Sequence, residues 1–74
     1  MNQYKNNFIT IWAAINKNGK LSLYTDKPFK NIEQGVWVGQ YPYLNSIVYN
    51  NLKGMIEKTE MSWECDPEPF QINI

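Results

Sequence analysis

Seventy-four residues with one cysteine and no histidine make one small domain, residues 1–74, with few means of reinforcing itself. A lone cysteine forms no internal disulfide and suits a reducing compartment, and the absence of histidine leaves no ligand set for a structural zinc. Formal net charge is zero, but residues 1–30 carry Lys5, Lys17, Lys20, Lys27 and Lys30 against Asp26, while residues 31–74 carry Glu33, Glu57, Glu60, Glu64, Asp66 and Glu68 against Lys53 and Lys58.

Residues 1–7 are polar and are expected to fray or to extend the first strand near its end. Phe8 to Ile15, FITIWAAI, is rich in β-branched and aromatic residues and reads as that strand. Asn18-Gly19 breaks the run, and two turns could close a hairpin there. A two-residue type I′ turn pairs Ile15 with Ser22 and Ala13 with Tyr24. A three-residue loop with Gly19 left-handed in a G1 bulge pairs Ile15 with Leu21 and Ala13 with Leu23. The second register sorts Ile9, Ile11, Ala13, Ile15, Leu21 and Leu23 onto one face and Phe8, Thr10, Trp12, Ala14, Ser22 and Tyr24 onto the other. A slip of one residue would mix the two sets, so the bulged loop is expected.

Asp26-Lys27-Pro28 ends the second strand, because proline donates nothing to a ladder. Residues 29–34 read as a loop, and 35–40 as a third strand with Val36 and Val38 on one face and Trp37 on the other. The flanking Gly35 and Gly39 mark tight turns or close backbone approach. Tyr41-Pro42-Tyr43 is a rigid connector whose rings either cap the core edge or offer an exposed contact. Asn45 suits an N-cap. Leu44, Ile47, Val48, Leu52, Met55, Ile56 and Thr59 then follow the spacing of an amphipathic helix. Gly54 inside it is expected either to end the helix early or to let it approach the sheet closely. Residues 61–65 and 70–74 alternate apolar with polar and read as two strands, joined by the stiff Asp66-Pro67-Glu68-Pro69.

The expected fold is therefore α+β: a small antiparallel sheet of about five strands, ordered β-β-β-α-β-β, with one amphipathic helix packed on one face. One helix covers one side of a sheet. In an open sheet Phe8, Trp12, Tyr24 and Trp37 are left on the bare side as a partner-binding surface. Closure into a small barrel would bury them.

Catalysis lacks parts. Cys65 has no histidine base, and reads instead as a small apolar strand residue. Glu64, Asp66 and Glu68 match no calcium loop, and no phosphate-binding glycine loop or serine triad occurs. No catalytic, metal or cofactor site is expected, and the chain reads as a non-enzymatic module for another protein or a second copy of itself. The alternative is a single-stranded nucleic-acid binder stacking bases on the aromatic hairpin. Zero net charge and the absence of arginine argue against it. No stretch reaches the ~20 apolar residues of a membrane span. FITIWAAI behind Lys5 imitates a signal peptide, but cleavage after Ala13-Ala14 would delete the first strand, so a cytoplasmic chain is expected. Asn, Lys, Ile and Tyr, all with AT-rich codons, are abundant, which warns against reading the asparagines as functional.

Three segments, Leu21-Ser22-Leu23-Tyr24 with Lys27-Pro28, Gly35-Val36-Trp37-Val38-Gly39, and Trp63-Glu64-Cys65-Asp66-Pro67-Glu68-Pro69, follow one another in a suggestive order. In that order the chain resembles short uncharacterised proteins of gut-bacterial phages and mobile elements, over roughly residues 20–72. Its helical segment before Trp63 is longer than theirs. The resemblance implies a mobile-element origin and no known activity or site; by analogy, small phage proteins of this size often act by binding host proteins.

Overall fold

In the computed structural model, which describes residues 8–73, five strands and one helix form two antiparallel sheets. The elements are β1 (Phe8–Ile15), β2 (Leu21–Tyr24), β3 (Phe29–Asn31), β4 (Val36–Val38), α1 (Ser46–Glu57) and β5 (Glu68–Asn73). The expectations for residues 1–7, and for Ile74 as part of the last strand, lie outside the described residues.

The first hairpin takes the bulged register. Ile15 faces Leu21 and Ala13 faces Leu23 across the β1–β2 pair. The Asn16 N–H donates to the Lys20 carbonyl at 2.9 Å, and the Gly19 N–H donates to the Asn16 carbonyl at 2.8 Å. Gly19 stands at φ 89°, the left-handed conformation that a residue without Cβ adopts at little cost. β5 then pairs antiparallel with β1 on its other side, Ile9 opposite Ile72 and Ile11 opposite Phe70, giving the order β2-β1-β5.

That register puts the aliphatic set on one face, where Ile11, Ala13 and Leu23 pack with Leu52 and Ile56 of α1. Ile9, Leu21, Phe70 and Ile72 border this cluster. Burying each large aliphatic side chain stabilises the fold by roughly 1.5–3 kcal/mol. Asn45 caps the helix, its Oδ1 accepting from the Val48 N–H at 2.9 Å. Only part of the expected stripe is inside: Leu52 and Ile56 are buried, Leu44 and Val48 are half-buried, and Ile47 and Met55 are exposed. Gly54 has neither expected role. The helix runs past it to Glu57, and a Cβ built there would meet nothing within 4 Å.

Two elements differ from expectation. Residues 61–65 form no strand: they turn, with the Cys65 N–H donating to the Ser62 carbonyl at 3.1 Å. Cys65 is consequently exposed rather than a strand residue. In its place β3 pairs with β4, Phe29 opposite Val38 and Lys30 opposite Trp37, so the order is β-β-β-β-α-β.

The small β3–β4 sheet lies against the second face of the main sheet and replaces the bare face expected there. Trp37, Tyr24 and Ala14 are buried together, with Trp12 and Trp63 packed around them. Four hydrogen bonds fix it to the first hairpin. The Lys17 N–H donates to the Gly35 carbonyl at 2.9 Å, and the Trp37 N–H to Asn16 Oδ1 at 2.8 Å. The Trp37 indole donates to the Ile15 carbonyl at 2.9 Å, and the Tyr24 hydroxyl to the Trp37 carbonyl at 3.1 Å. At Gly39 the backbone passes so close to Tyr24 that a Cβ would stand 2.9 Å from its Cδ1.

Candidate partner-binding surface

Of the four residues assigned to a partner surface, Trp12, Tyr24 and Trp37 pack together inside the fold and Phe8 stands apart. Tyr24 is 0% exposed and Trp37 7%, both sealed by β3–β4, so neither is available to a partner in this fold. Trp12 is half-buried beside them. Phe8 alone is exposed, at the far end of β1, roughly 13 Å along the strand from Trp12 at ~3.3 Å per residue. Their burial has a physical cause that composition conceals: a second hairpin, not the helix, shields the second face.

The three aromatic segments singled out in the sequence meet in this same cluster. Tyr24 comes from the first, Trp37 from the second and Trp63 from the third. Trp37 and Trp63 meet edge to face at 5.8 Å. The Lys30 ammonium lies 4.3 Å from the Trp63 ring centroid and 5.4 Å from that of Trp37, capping the pair with its charge. Burial pushes the Tyr24 hydroxyl above its ordinary pKa; the neighbouring Ser22 hydroxyl draws it partly back and nearby Tyr41 adds to the rise. These residues hold the fold together.

Two surface concavities lie elsewhere and share the start of β2. One groove of about 430 Å³ runs beside the outer edge of β2, between Leu21, Ser22 and Leu23 on one wall and Tyr41, Pro42, Leu44 and Tyr49 on the other. No charged side chain lines it. Tyr41 stacks on Tyr24 at 5.5 Å while staying 70% exposed, so the connector both caps the core and presents an aromatic face outward. Past Leu21 and Tyr49, which border both spaces, a wider trough of about 890 Å³ opens between the hairpin tip and the end of α1. Lys17, Lys20 and Lys53 line it together with Glu57, Glu60 and Glu64, so its charge is mixed. The Tyr41-Pro42-Tyr43 spacing hinted at an exposed aromatic contact. The part played by Tyr49 had no such signal, since it falls off the apolar stripe.

Among the described residues, no group of His, Cys, Asp or Glu is gathered to hold a metal ion, and no helix is long and apolar enough to cross a membrane. No known protein family, curated protein or solved structure matches the chain.

Proposed function

We propose that this chain is a small non-enzymatic, cytoplasmic protein-binding module that meets its partner along the groove between β2 and the connector leading into α1. The observation carrying this reading is that lining: two tyrosines, a proline and three leucines with no charge among them, on a chain that is 19% charged. Tyrosine is among the side chains most enriched where binding energy concentrates, because it combines a large rigid apolar area with a polar tip. The resemblance to short uncharacterised phage and mobile-element proteins is compatible with it by analogy alone, since small phage proteins of this size often act by binding host proteins. A nucleic-acid reading is less favoured, because phosphates need a uniformly basic track and the adjoining trough sets three glutamates among its lysines.

The test is to capture proteins from a bacterial lysate, purify the one recovered and measure its affinity directly. Tyr49→Ser should weaken it roughly tenfold, the loss of one hot-spot ring. Ile47→Ser, one turn away and 71% exposed, should leave it unchanged. Equal affinity for the chain and its Tyr49→Ser variant overturns the reading.

A further inference from the structure

Resting on the module reading above, we infer that the occupant of the β2 groove is an extended, uncharged segment of another polypeptide, which adds to the free edge of β2 as a fourth strand of the main sheet.

The backbone phase carries the inference. The Asn16–Lys20 pair closes the first hairpin with a hydrogen bond. In an antiparallel ladder bonded pairs alternate with unbonded ones, so Ala14–Ser22 and Trp12–Tyr24 are bonded pairs too. The N–H and C=O of Leu21 and Leu23 therefore point away from β1, into the groove that both residues line. The next outward group supports this phase: the Thr25 N–H donates to the Gln40 carbonyl at 2.8 Å. The chain thus begins a ladder on this edge with its own Gln40, then turns away at Pro42. Among the described residues no other backbone group bonds to Leu21 or Leu23 from that side.

The two edges of the sheet are treated differently. On β5 the same alternation directs Ile72, Phe70 and Glu68 inward to β1, so Pro69 and Gln71 face out. Pro69 has no N–H to offer there, and the edge is blunted against pairing. β2 carries no proline and no charged residue between Leu21 and Tyr24. Its edge is left receptive, and the rings of Tyr41 and Tyr49 stand beside it to receive alternate side chains of an added strand.

A second copy is a poorer occupant. Symmetric β2–β2 pairing about Ser22 would lay the Gly19 turn of each copy over Thr25 of the other, where Gln40 already takes the N–H. An extended segment without that turn stops short of the obstruction.

The probe is a displayed library of random octapeptides selected on the full chain, with the recovered peptides resynthesised with blocked ends. We expect enrichment of β-branched and aromatic residues at alternate positions. In hydrogen exchange, the Leu21 and Leu23 amides should exchange fast in the free chain and slow at least tenfold with peptide, while Ser22 and Tyr24 stay protected throughout. A chemically synthesised chain N-methylated at Leu21 keeps every side chain and every β1–β2 bond, and should bind at least tenfold more weakly. Peptides that bind without altering those amides, and equally well to the N-methylated chain, overturn strand addition. If Tyr49→Ser still weakens them, the module reading survives alone; if it does not, both fall. Recovery of no peptide overturns the inference. So does a dimer, seen by light scattering, that N-methylation at Leu21 dissolves, because a second copy is then the occupant.

Discussion

The Tyr24 hydroxyl donates to the Trp37 backbone carbonyl at 3.1 Å, joining the last residue of β2 to the middle of β4. Trp37 in turn gives its indole N–H to Ile15 and its backbone N–H to Asn16. Two large rings are thus buried with their polar atoms satisfied, and among the described residues no buried side-chain nitrogen or oxygen lacks a partner. Burial without those bonds would cancel a large share of what the rings contribute.

Tyr24→Phe removes the hydroxyl and leaves the Trp37 carbonyl without its donor. The expected loss is ~1–3 kcal/mol in urea unfolding at neutral pH. The pH dependence follows from burial, which holds the native Tyr24 proton above the ordinary tyrosine pKa. An unfolded tyrosine ionises near pH ~10 while the native one keeps its proton, so the native state binds more protons there. Stability is then complete below that pH and declines as pH rises from the unfolded value through the raised native one. Tyr24→Phe should flatten this alkaline decline. An unchanged slope would mean that Tyr24 ionises alike in both states.

Trp37→Ser should unfold the chain. Emptying the site of a large buried ring costs ~3–5 kcal/mol, and at the ~0.05 kcal/mol per residue of a marginal small domain that is about all that so short a chain possesses. Far-UV circular dichroism and a thermal melt decide it. A folded variant retaining its cooperative melt would make Trp37 a surface residue after all.

The hairpin register was legible because two independent signals agreed: Gly19 fixed the loop, and only one register separated Ile11, Ala13 and Leu23 from Trp12 and Tyr24. The helix was legible from Asn45 and the spacing of Val48, Leu52 and Ile56. β3 was not, since three residues after Pro28 carry no periodicity, and its pairing with β4 is a tertiary choice. Residues 61–65 misled for the opposite reason. Alternation over five residues satisfied the strand pattern, yet the local Ser62–Cys65 turn prevailed over pairing with a sheet edge. Missing β3 is what left Tyr24 and Trp37 apparently bare, and the groove beside β2 depends on where the connector runs, which no local pattern encodes.

The glycines make a paired prediction of opposite sign. Gly39→Ala puts a Cβ 2.9 Å from Tyr24 Cδ1 and 3.3 Å from Pro28 Cβ. The ring is held by its bond to Trp37 and by the Tyr41 stack, so it yields little, and a loss of ~1–3 kcal/mol is expected. Gly54→Ala adds a methyl in open space inside a helix and should gain up to ~1 kcal/mol. Thermal melts of the two variants should shift in opposite directions. A shift of the same sign in both would mean that Gly39 does not approach Tyr24 so closely.

Glu60 is the residue on which strain is stored. It ends the turn after α1 and stands at φ 59°, left-handed for a residue with a Cβ, at a cost of ~1–2 kcal/mol. Glycine would relieve that strain but also loosens the unfolded chain, so a net gain of up to ~1 kcal/mol is expected of Glu60→Gly. Charge contributes separately, because an anion near a helix C-terminus opposes the dipole by ~0.3–1 kcal/mol. Glu60→Gln removes the charge and keeps the Cβ, so it should capture only that smaller share. Asparagine, which tolerates the left-handed region, should fall between the two. Denaturant midpoints ranked Gly above Asn above Gln would assign the gain to backbone conformation. If Gln equals Gly, the whole effect is electrostatic and the turn carries no strain.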